Sequence, residues 1–385
     1  MNDITFQKQQ GGLNRALPGE DHTSGMLFFS HDKPMGWTSK DVVQVTSPEN
    51  AVTLGIAKNS ANYGVMYYHI NEFFRLNPGA TLFVGIFSVP QTLDFAEVKT
   101  MQRAAAGKIR QVGVYVTTSF ATTMLESLQA VADALDTEHM PLSLLLGADI
   151  HDVADLSTLD DLRALECPKV SMVIGQDGNN DGYNLFLDTS KSITCLGAAL
   201  GAISASKVNE CIGWVEKFKI SSVELDVPAM ANGDLVSALD PNLLNSLNTK
   251  GYIFLRKHVG LSGSYFNDSH TAVEATSDYA YIESNRTMDK AIRGIRTYVL
   301  PQLNGPLLVD PTSGKLAHTT VKYVEDLANE PLVQMARDGE LSGFSAVVDP
   351  DQDVLATSEL VIQVVNVPLG VSRNIIVKIG FGKSV

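Results

Sequence analysis

The sequence predicts an α/β protein, in which a layered α/β domain precedes a smaller C-terminal α/β unit. Three observations support this prediction. Strand-like and helix-like segments alternate between residues 80 and 205, as they do in α/β sheets. After Gly251 the pattern changes to two long helices among strand-like runs. Both ends of the chain carry alternating apolar residues, which is typical of half-buried strands.

The layered domain is predicted from hydrophobic spacing. Short apolar runs indicate buried strands, and apolar residues at helical spacing indicate the helices between them. The predicted strands cover residues 80–89, 109–116, 142–146 and 170–174. A first helix is predicted to begin within 67–74, and separate helices are predicted at 95–106, 122–135, 159–165 and 194–205.

The C-terminal unit is predicted to combine strands with two long helices. The clearest helix of the chain covers residues 279–300 and is ended by Pro301, because proline cannot continue a helix. A second, acid-bearing helix at 319–337 is predicted to break or restart at Pro331. The predicted strands of this unit are a central strand at 252–259 and a further strand at 341–348.

The two ends of the chain are predicted to form strands that need a partner. Residues 360–367 are apolar at nearly every position, which predicts burial on both faces. Such strands either complete the sheet of their own chain or are exchanged between identical subunits. The alternating apolar residues are Ile375, Val377, Ile379 and Phe381 in the last run, and Ile4 and Phe6 near the start.

Length and composition describe an ordinary globular protein. The chain has 385 residues, enough for two or three domains. Its net charge of −14 argues against a nucleic-acid binder. No run of eighteen apolar residues and no signal peptide is recognisable, so neither a membrane segment nor secretion is expected. The three cysteines are expected to be reduced, buried thiols.

One face of the predicted helix at 279–300 carries a basic stripe. Its four residues lie on an arc separate from the core-facing apolar stripe. A basic face of this kind is either simply solvated or a docking surface for an acidic partner. The stripe consists of Arg286, Lys290, Arg293 and Arg296.

Two short patterns suggest chemistry. Residues 177–188 (DGNNDGYNLFLD) have the spacing of a calcium loop, but they end in Asp and follow a strand, so a polar turn is the alternative. Ser262, Asp268 and His270 suggest a hydrolase, but the nearby glycine and serines miss the nucleophile-elbow spacing by one residue. We therefore predict no catalytic residue, no cofactor and no metal ligand, and keep a soluble hydrolase or a calcium-dependent binding module as the alternative.

Several stretches resemble the tail sheath proteins of contractile phages and related contractile injection systems. The resemblance is carried by GYIFLRKHVGLSGSYFNDSHTA at 251–272 and ESNRTMDKAIRGIRTYVLPQLNGPL at 283–307. FFRLNPGATLFVG at 73–85 and LVIQVVNVPLG at 360–370 agree with it. The resemblance extends from about residue 73 to the end of the chain.

This resemblance implies a structural protein without catalysis. Sheath subunits form six-membered rings that stack helically around an inner tube, and the sheath shortens to drive the tube through a target envelope. The implied partners are further copies of the chain, the inner tube protein, and baseplate and terminator proteins, with no nucleic acid and no membrane. The implied location is a virion tail or tail-like particle, assembled in the host cytoplasm.

The resemblance also implies which segments are exchanged. Residues 4–8 and 374–381 would be the donated strands, and residues 251–368 the acceptor. The expected domains are an N-terminal arm at 1–25, an outer α/β domain at 26–250, a sheath core domain at 251–370 and a C-terminal arm at 371–385. The basic stripe is then expected to contact the inner tube or the acidic surface of the next ring at residues 131–166.

Overall fold

The chain folds into two compact units. The structure is a computed structural model that describes residues 20 to 381. The first unit extends to Gly305 and the second begins at Pro306. Within the described residues, none of the helices combines the length and apolar character needed to cross a membrane.

The strands and helices occur in the order expected of an α/β protein, and the predicted fold class is confirmed. The strands are β1 (Ser24–Phe29), β2 (Val42–Val45), β3 (Leu82–Phe87), β4 (Gln111–Ser119), β5 (Ser143–Asp149), β6 (Val170–Val173), β7 (Gly175–Asp177), β8 (Pro228–Met230), β9 (Tyr252–Ile253), β10 (Leu255–Arg256), β11 (Tyr265–Phe266), β12 (Leu341–Val347) and β13 (Gln363–Pro368). The helices are α1 (Pro48–Thr53), α2 (Gly64–Leu76), α3 (Glu97–Ala104), α4 (Thr122–Thr137), α5 (Asp181–Thr189), α6 (Leu196–Ala205), α7 (Pro241–Thr249), α8 (Ile282–Val299), α9 (His318–Arg337) and α10 (Val354–Thr357).

A seven-stranded sheet organises the first unit. Its strand order is β2-β3-β1-β4-β5-β6-β9. All neighbouring strands are parallel except β2 and β3, which are antiparallel. Because β1 lies between β3 and β4, the chain winds outward from the centre in both directions. This is the arrangement of doubly wound α/β folds, which need helices on both faces of the sheet.

Helices cover both faces of this sheet. Alternate residues of a strand point to opposite faces, so Leu27 and Leu144 pack with α3, α4 and α7, whereas Met26 and Leu145 pack with α2 and α6. Each face therefore has its own large apolar core. The predicted strands at 80–89, 109–116, 142–146 and 170–174 correspond to β3, β4, β5 and β6.

Helices α2 and α6 approach each other through glycine. A Cβ atom added at Gly197 would lie 2.2 Å from the backbone oxygen of His69, and one added at Gly201 would lie 2.7 Å from that of Phe73. These separations are far below van der Waals contact. The small residues of α6 are therefore required by the close approach of two backbones.

Two predicted elements differ in this part of the structure. Residues 252–259 do not form one central strand: β9 joins the large sheet, while β10 pairs with β11 in a separate hairpin. Phe254 lies between them, and its N–H donates to Oδ1 of Asn267 at 2.7 Å. The predicted helix at 159–165 is replaced by two 3-10 turns, Leu156–Thr158 and Leu162–Ala164.

The second unit is small. Helix α9 continues through Pro331 without the predicted break, and it packs against the antiparallel pair β12 and β13. One apolar cluster of this unit contains Leu316, Val321, Val324 and Val348. Further buried apolar residues of the unit are Ala328, Leu332, Met335, Leu341 and Ala346.

The compact units do not coincide with the expected domain ranges. The large sheet includes β9, and the first unit includes α8, so both lie on the N-terminal side of the division at Gly305. The expected boundary at residue 250 stays a prediction.

Candidate assembly surfaces

The C-terminal segment of the chain exposes a row of large apolar side chains. Residues 369–381 form neither helix nor strand in the structure. The exposed fractions are 76% for Ile375, 77% for Val377, 95% for Ile379 and 112% for Phe381. Four such side chains in alternation are the residues predicted for a donated strand. The corresponding N-terminal residues, Ile4 and Phe6, lie outside the described residues.

The strand pair β12–β13 is only half covered. In an antiparallel pair, residues directly opposite each other lie on the same face. Ala346 and its opposite residue Val364 lie on the more buried face. On the other face, Val365 and Val367 are 63% and 49% exposed. The prediction that residues 360–367 are buried on both faces is therefore wrong for the single chain, because nothing in the described residues covers this face.

Three residues of the basic stripe contact the chain's own N-terminal region. Nζ of Lys290 lies 2.7 Å from Oδ2 of Asp21, and a guanidinium nitrogen of Arg293 lies 2.8 Å from Oδ1. Burial of Asp21 opposes its ionisation, but the charges of Lys290 and Arg293 outweigh burial and hold its pKa below the ordinary value. The buried Arg286 donates to Oγ of Ser206 at 2.7 Å.

Arg296 differs from the rest of the stripe because it is exposed. The contacts of Arg286, Lys290 and Arg293 give these three residues a role within the subunit. The predicted contact with a tube or a neighbouring ring stays a prediction, and Arg296 is the stripe residue best placed for it. Asp21 was missed in the sequence because it lies in a turn-rich stretch, where an acidic residue carries no distinctive pattern.

The stretch with calcium-loop spacing is divided between the end of a strand, a turn and a helix. Asp177 is buried, and its carboxylate accepts the N–H of Asn180 at 2.6 Å and that of Leu225 at 2.9 Å. Asp181 begins α5 and pairs with Lys58. Residues 177–188 therefore form a strand, a turn and a helix, and in the described part of the chain no cluster of acidic, His or Cys side chains could hold a metal ion.

The three residues considered for a hydrolase have separate partners. Oδ1 of Asp268 accepts the N–H of Ser269 at 2.8 Å, whereas Nδ1 of His270 lies 2.6 Å from a guanidinium nitrogen of Arg163. The Ser262 hydroxyl lies 3.3 Å from Nζ of Lys219. These contacts lie within the first unit. None of them is the nucleophile-to-base contact that a hydrolase needs.

All three cysteines are buried and carry no disulfide, as the sequence predicts. Burial raises the pKa of Cys167 to about 11. The thiolate is the reactive form of cysteine, so this side chain serves packing within the apolar core.

Two ionisable groups of the first unit have shifted pKa values: His69 of α2, which is buried, and Glu224, which is half-buried in a loop. Burial lowers the pKa of His69 to about 3, and neither ring nitrogen has a hydrogen-bond partner among the described residues. Burial, together with the nearby charges of Asp177 and Asp181, raises the pKa of Glu224 to about 7. Both groups belong to the first unit and make its stability depend on pH.

The fold is that of contractile sheath proteins. The helical sheath of the anti-feeding prophage in its contracted state superposes with a TM-score of 0.64 at 16% identity, covering 99% of both chains. The contracted sheath of the extracellular contractile injection system PVC gives 0.61 at 11% identity, over 100% of this chain and 98% of the other. A sheath tail protein from Desulfitobacterium hafniense gives 0.54 at 10% identity, over 96% and 100%.

The chain belongs to the DUF2586 family. The model of the N-terminal domain of this family matches residues 1–270, and the model of its C-terminal domain matches residues 278–384. No curated protein matches the sequence. The resemblance to sheath proteins predicted from the sequence is confirmed at the level of the fold.

Proposed function

We propose that this protein is the structural subunit of a contractile sheath. Subunits polymerise as stacked six-membered rings around an inner tube, and shortening of the sheath drives the tube through a target envelope. Its partners are further copies of itself, the tube protein, and baseplate and terminator proteins. Its location is a phage tail or tail-like particle, built in the host cytoplasm.

The observation that carries this proposal is the exposed apolar segment at residues 374–381, on a chain with the sheath fold. Such a segment is an aggregation hazard unless it has a partner. The pair β12–β13 offers one, since a sheet of two strands is marginal by itself. Adding a strand forms several backbone hydrogen bonds of about 1 kcal/mol net each and buries apolar side chains worth about 2 kcal/mol each.

Strand exchange also suits a sheath that changes length. A strand donated on an extended segment stays bound while the bodies of the subunits rotate. Sheath subunits then remain linked during shortening, and new contacts between their bodies can supply the driving free energy. A role of this kind needs no catalytic residue.

Electron microscopy of the purified full chain tests the proposal. We expect hollow, striated cylinders with sixfold end views. Ile375→Lys should abolish them, because it places a charge on the face that strand addition buries, whereas Asn374→Lys places the same charge on the opposite face and should preserve them. A chain that stays monomeric at all concentrations, with and without tubes, would contradict the proposal.

A further inference from the structure

The hairpin β10–β11 carries exposed cations beside its tip. Arg256 and Lys257 are exposed, and in the described part of the chain neither side chain contacts a carboxylate. Lys219, on the neighbouring loop, is also exposed, and its Nζ lies 3.3 Å from the hydroxyl oxygen of Ser262. We refer to Lys219 and residues 256–263 as the basic tip. Its positive charge is not neutralised by an ion pair within the subunit.

The basic tip also exposes apolar side chains on a fixed backbone. Val259 is 107% exposed and Leu261 is 51% exposed. The N–H of Ser264 donates to Oγ of Ser221 at 3.1 Å, and the N–H of Ile220 donates to the carbonyl oxygen of Ser264 at 2.9 Å. Because these bonds hold the base of the hairpin in place, little conformational entropy is lost when the tip binds a partner.

An acidic surface of the same unit lies beside the amino end of β9. The hydroxyl of Tyr252, the first residue of β9, donates to the carbonyl oxygen of Asp160 at 2.9 Å. Glu166 lies shortly before β6, which is parallel to β9 and begins at the same edge of the sheet. We call this surface the acidic edge, and its exposed carboxylates belong to Asp155, Asp160, Asp161 and Glu166.

The basic tip and the acidic edge belong to opposite edges of the large sheet. The acidic edge is at the amino ends of β6 and β9, whereas β10 continues beyond their carboxyl ends. A Cβ atom added at Gly175, which follows β6, would lie 3.0 Å from the backbone nitrogen of Leu255. Complementary surfaces at opposite edges meet most directly between copies that are arranged head to tail.

We infer that the basic tip of one copy docks on the acidic edge of a second copy. This inference rests on the proposed function and adds a contact between the bodies of the subunits. The occupant is indicated by charge complementarity, because the chain has a net charge of −14 and its own acidic edge supplies the carboxylates that the tip lacks. A head-to-tail contact repeats from copy to copy and generates rings or helices.

The chemistry of this contact suits a sheath that changes length. Exposed charge pairs are individually weak, and salt screens them. The contact therefore weakens as the salt concentration rises, whereas exchanged strands depend on backbone hydrogen bonds and apolar burial. A weak contact between bodies can break and form again while the strands keep the subunits linked.

Charge reversal followed by exchange of the two signs tests the contact. Arg256→Glu combined with Lys257→Glu should lower the fraction of chain that sediments as cylinders at low salt at least about tenfold. Asp160→Lys combined with Glu166→Lys should do the same. All four substitutions in one chain should restore assembly to within about twofold, because opposite charges face each other again.

A matched control changes the net charge equally at other exposed positions. Lys40→Glu combined with Lys108→Glu should leave assembly unchanged. Unfolding followed by tryptophan fluorescence establishes that each variant is folded. In cylinders of the unaltered chain, zero-length carbodiimide cross-linking should join Lys257 to Asp160, Asp161 or Glu166, and these cross-links should be absent from the monomer.

The outcomes separate this inference from the proposed function. Normal assembly after reversal of the basic tip, or a folded fourfold variant that does not recover, overturns the contact and leaves the sheath function standing. If the variants do not fold, cylinders of the unaltered chain that lack the cross-links to Lys257 overturn the contact by themselves. An unaltered chain that forms no cylinders under any condition overturns the sheath function itself.

Discussion

The two units bury apolar residues to very different extents. The first unit places a seven-stranded sheet between two layers of helices and has a large apolar core on each face. Among the described residues, the second unit buries fewer apolar side chains than the first, while Val365 and Val367 remain about half exposed and Ile379 almost fully exposed. A large core on each face of a sheet supports independent folding, whereas exposed apolar side chains of this kind favour a partner.

This difference separates folding from assembly. Changes in the first unit should act on stability, whereas changes at the end of the second should act on polymerisation. Both tryptophans, Trp37 and Trp214, lie in the first unit. Tryptophan fluorescence therefore follows the unfolding of the first unit selectively, and it can be compared with assembly measured by sedimentation.

The largest expected effect is complete loss of assembly on deletion of residues 374–385. The deletion removes the donated strand but no residue of the large sheet, so we expect the fluorescence-detected unfolding of the first unit to be unchanged. Sedimentation velocity measures assembly and denaturant titration measures stability. If the shortened chain still forms cylinders equal to those of the full chain, the proposed strand exchange is contradicted.

The next effect concerns the core of the first unit. Gly197→Ala places a Cβ atom 2.2 Å from the backbone oxygen of His69, so helices α2 and α6 must separate, which we expect to cost about 3 kcal/mol. Gly370→Ala is the control, since no atom lies within 4 Å of the added Cβ. Urea titration followed by tryptophan fluorescence measures both. Equal stability of the two variants would contradict the close approach of α2 and α6.

His69 should make the first unit sensitive to acid. In the unfolded chain His69 binds a proton below about pH 6.5, whereas burial lowers its pKa in the folded chain to about 3. Stability is therefore lost as the pH falls below 6.5, by about 2 kcal/mol at pH 5. His69→Leu should remove this loss, and His318→Leu, at an exposed position of the second unit, should retain it. Unfolding titrations at pH 6.5 and pH 5 compare the three proteins.

Glu224 should act in the opposite direction. Its pKa in the folded chain is raised to about 7 by burial and by neighbouring carboxylates, so the unfolded chain loses this proton first and stability falls as the pH rises from about 4.5 to 7. Glu224→Gln should stabilise the first unit at pH 8 by about 1 kcal/mol, after allowance for solvent screening at this partly exposed site, and have little effect at pH 4.5. Glu216→Gln, at an exposed position, should change neither value.

The sequence predicts the long buried strands of the first unit better than its short strands, for a physical reason. Strands β3 to β6 are buried on both faces, and their continuous apolar runs are visible directly in the sequence. Strand β9 has only two residues in the sheet, and Phe254 separates it from β10, which pairs with β11. Nothing in the run at 252–259 marks this division, because the Asn267 side chain that accepts the N–H of Phe254 lies outside the run.

The candidate site shows the same limit. The apolar alternation at Ile375 to Phe381 is a local pattern, so the donated segment could be predicted. The pairing of Asp21 with Lys290 and Arg293 joins residues about 270 positions apart, and the contact of Asn329 with Ala346 depends on how α9 packs. Neither contact leaves a periodic pattern in the sequence.

The smallest expected effect on stability is that of Arg296→Glu. Arg296 is exposed, so reversing its charge should change the stability of the first unit by less than about 0.5 kcal/mol. We expect it to weaken the coating of tubes, since a basic side chain on this face suits an acidic partner. Arg293→Glu is the contrasting variant: it places a second carboxylate beside Asp21 and should also destabilise the first unit. If the Arg296→Glu variant still coats tubes normally, as measured by co-sedimentation, the basic stripe has no role in tube binding and acts only within the subunit.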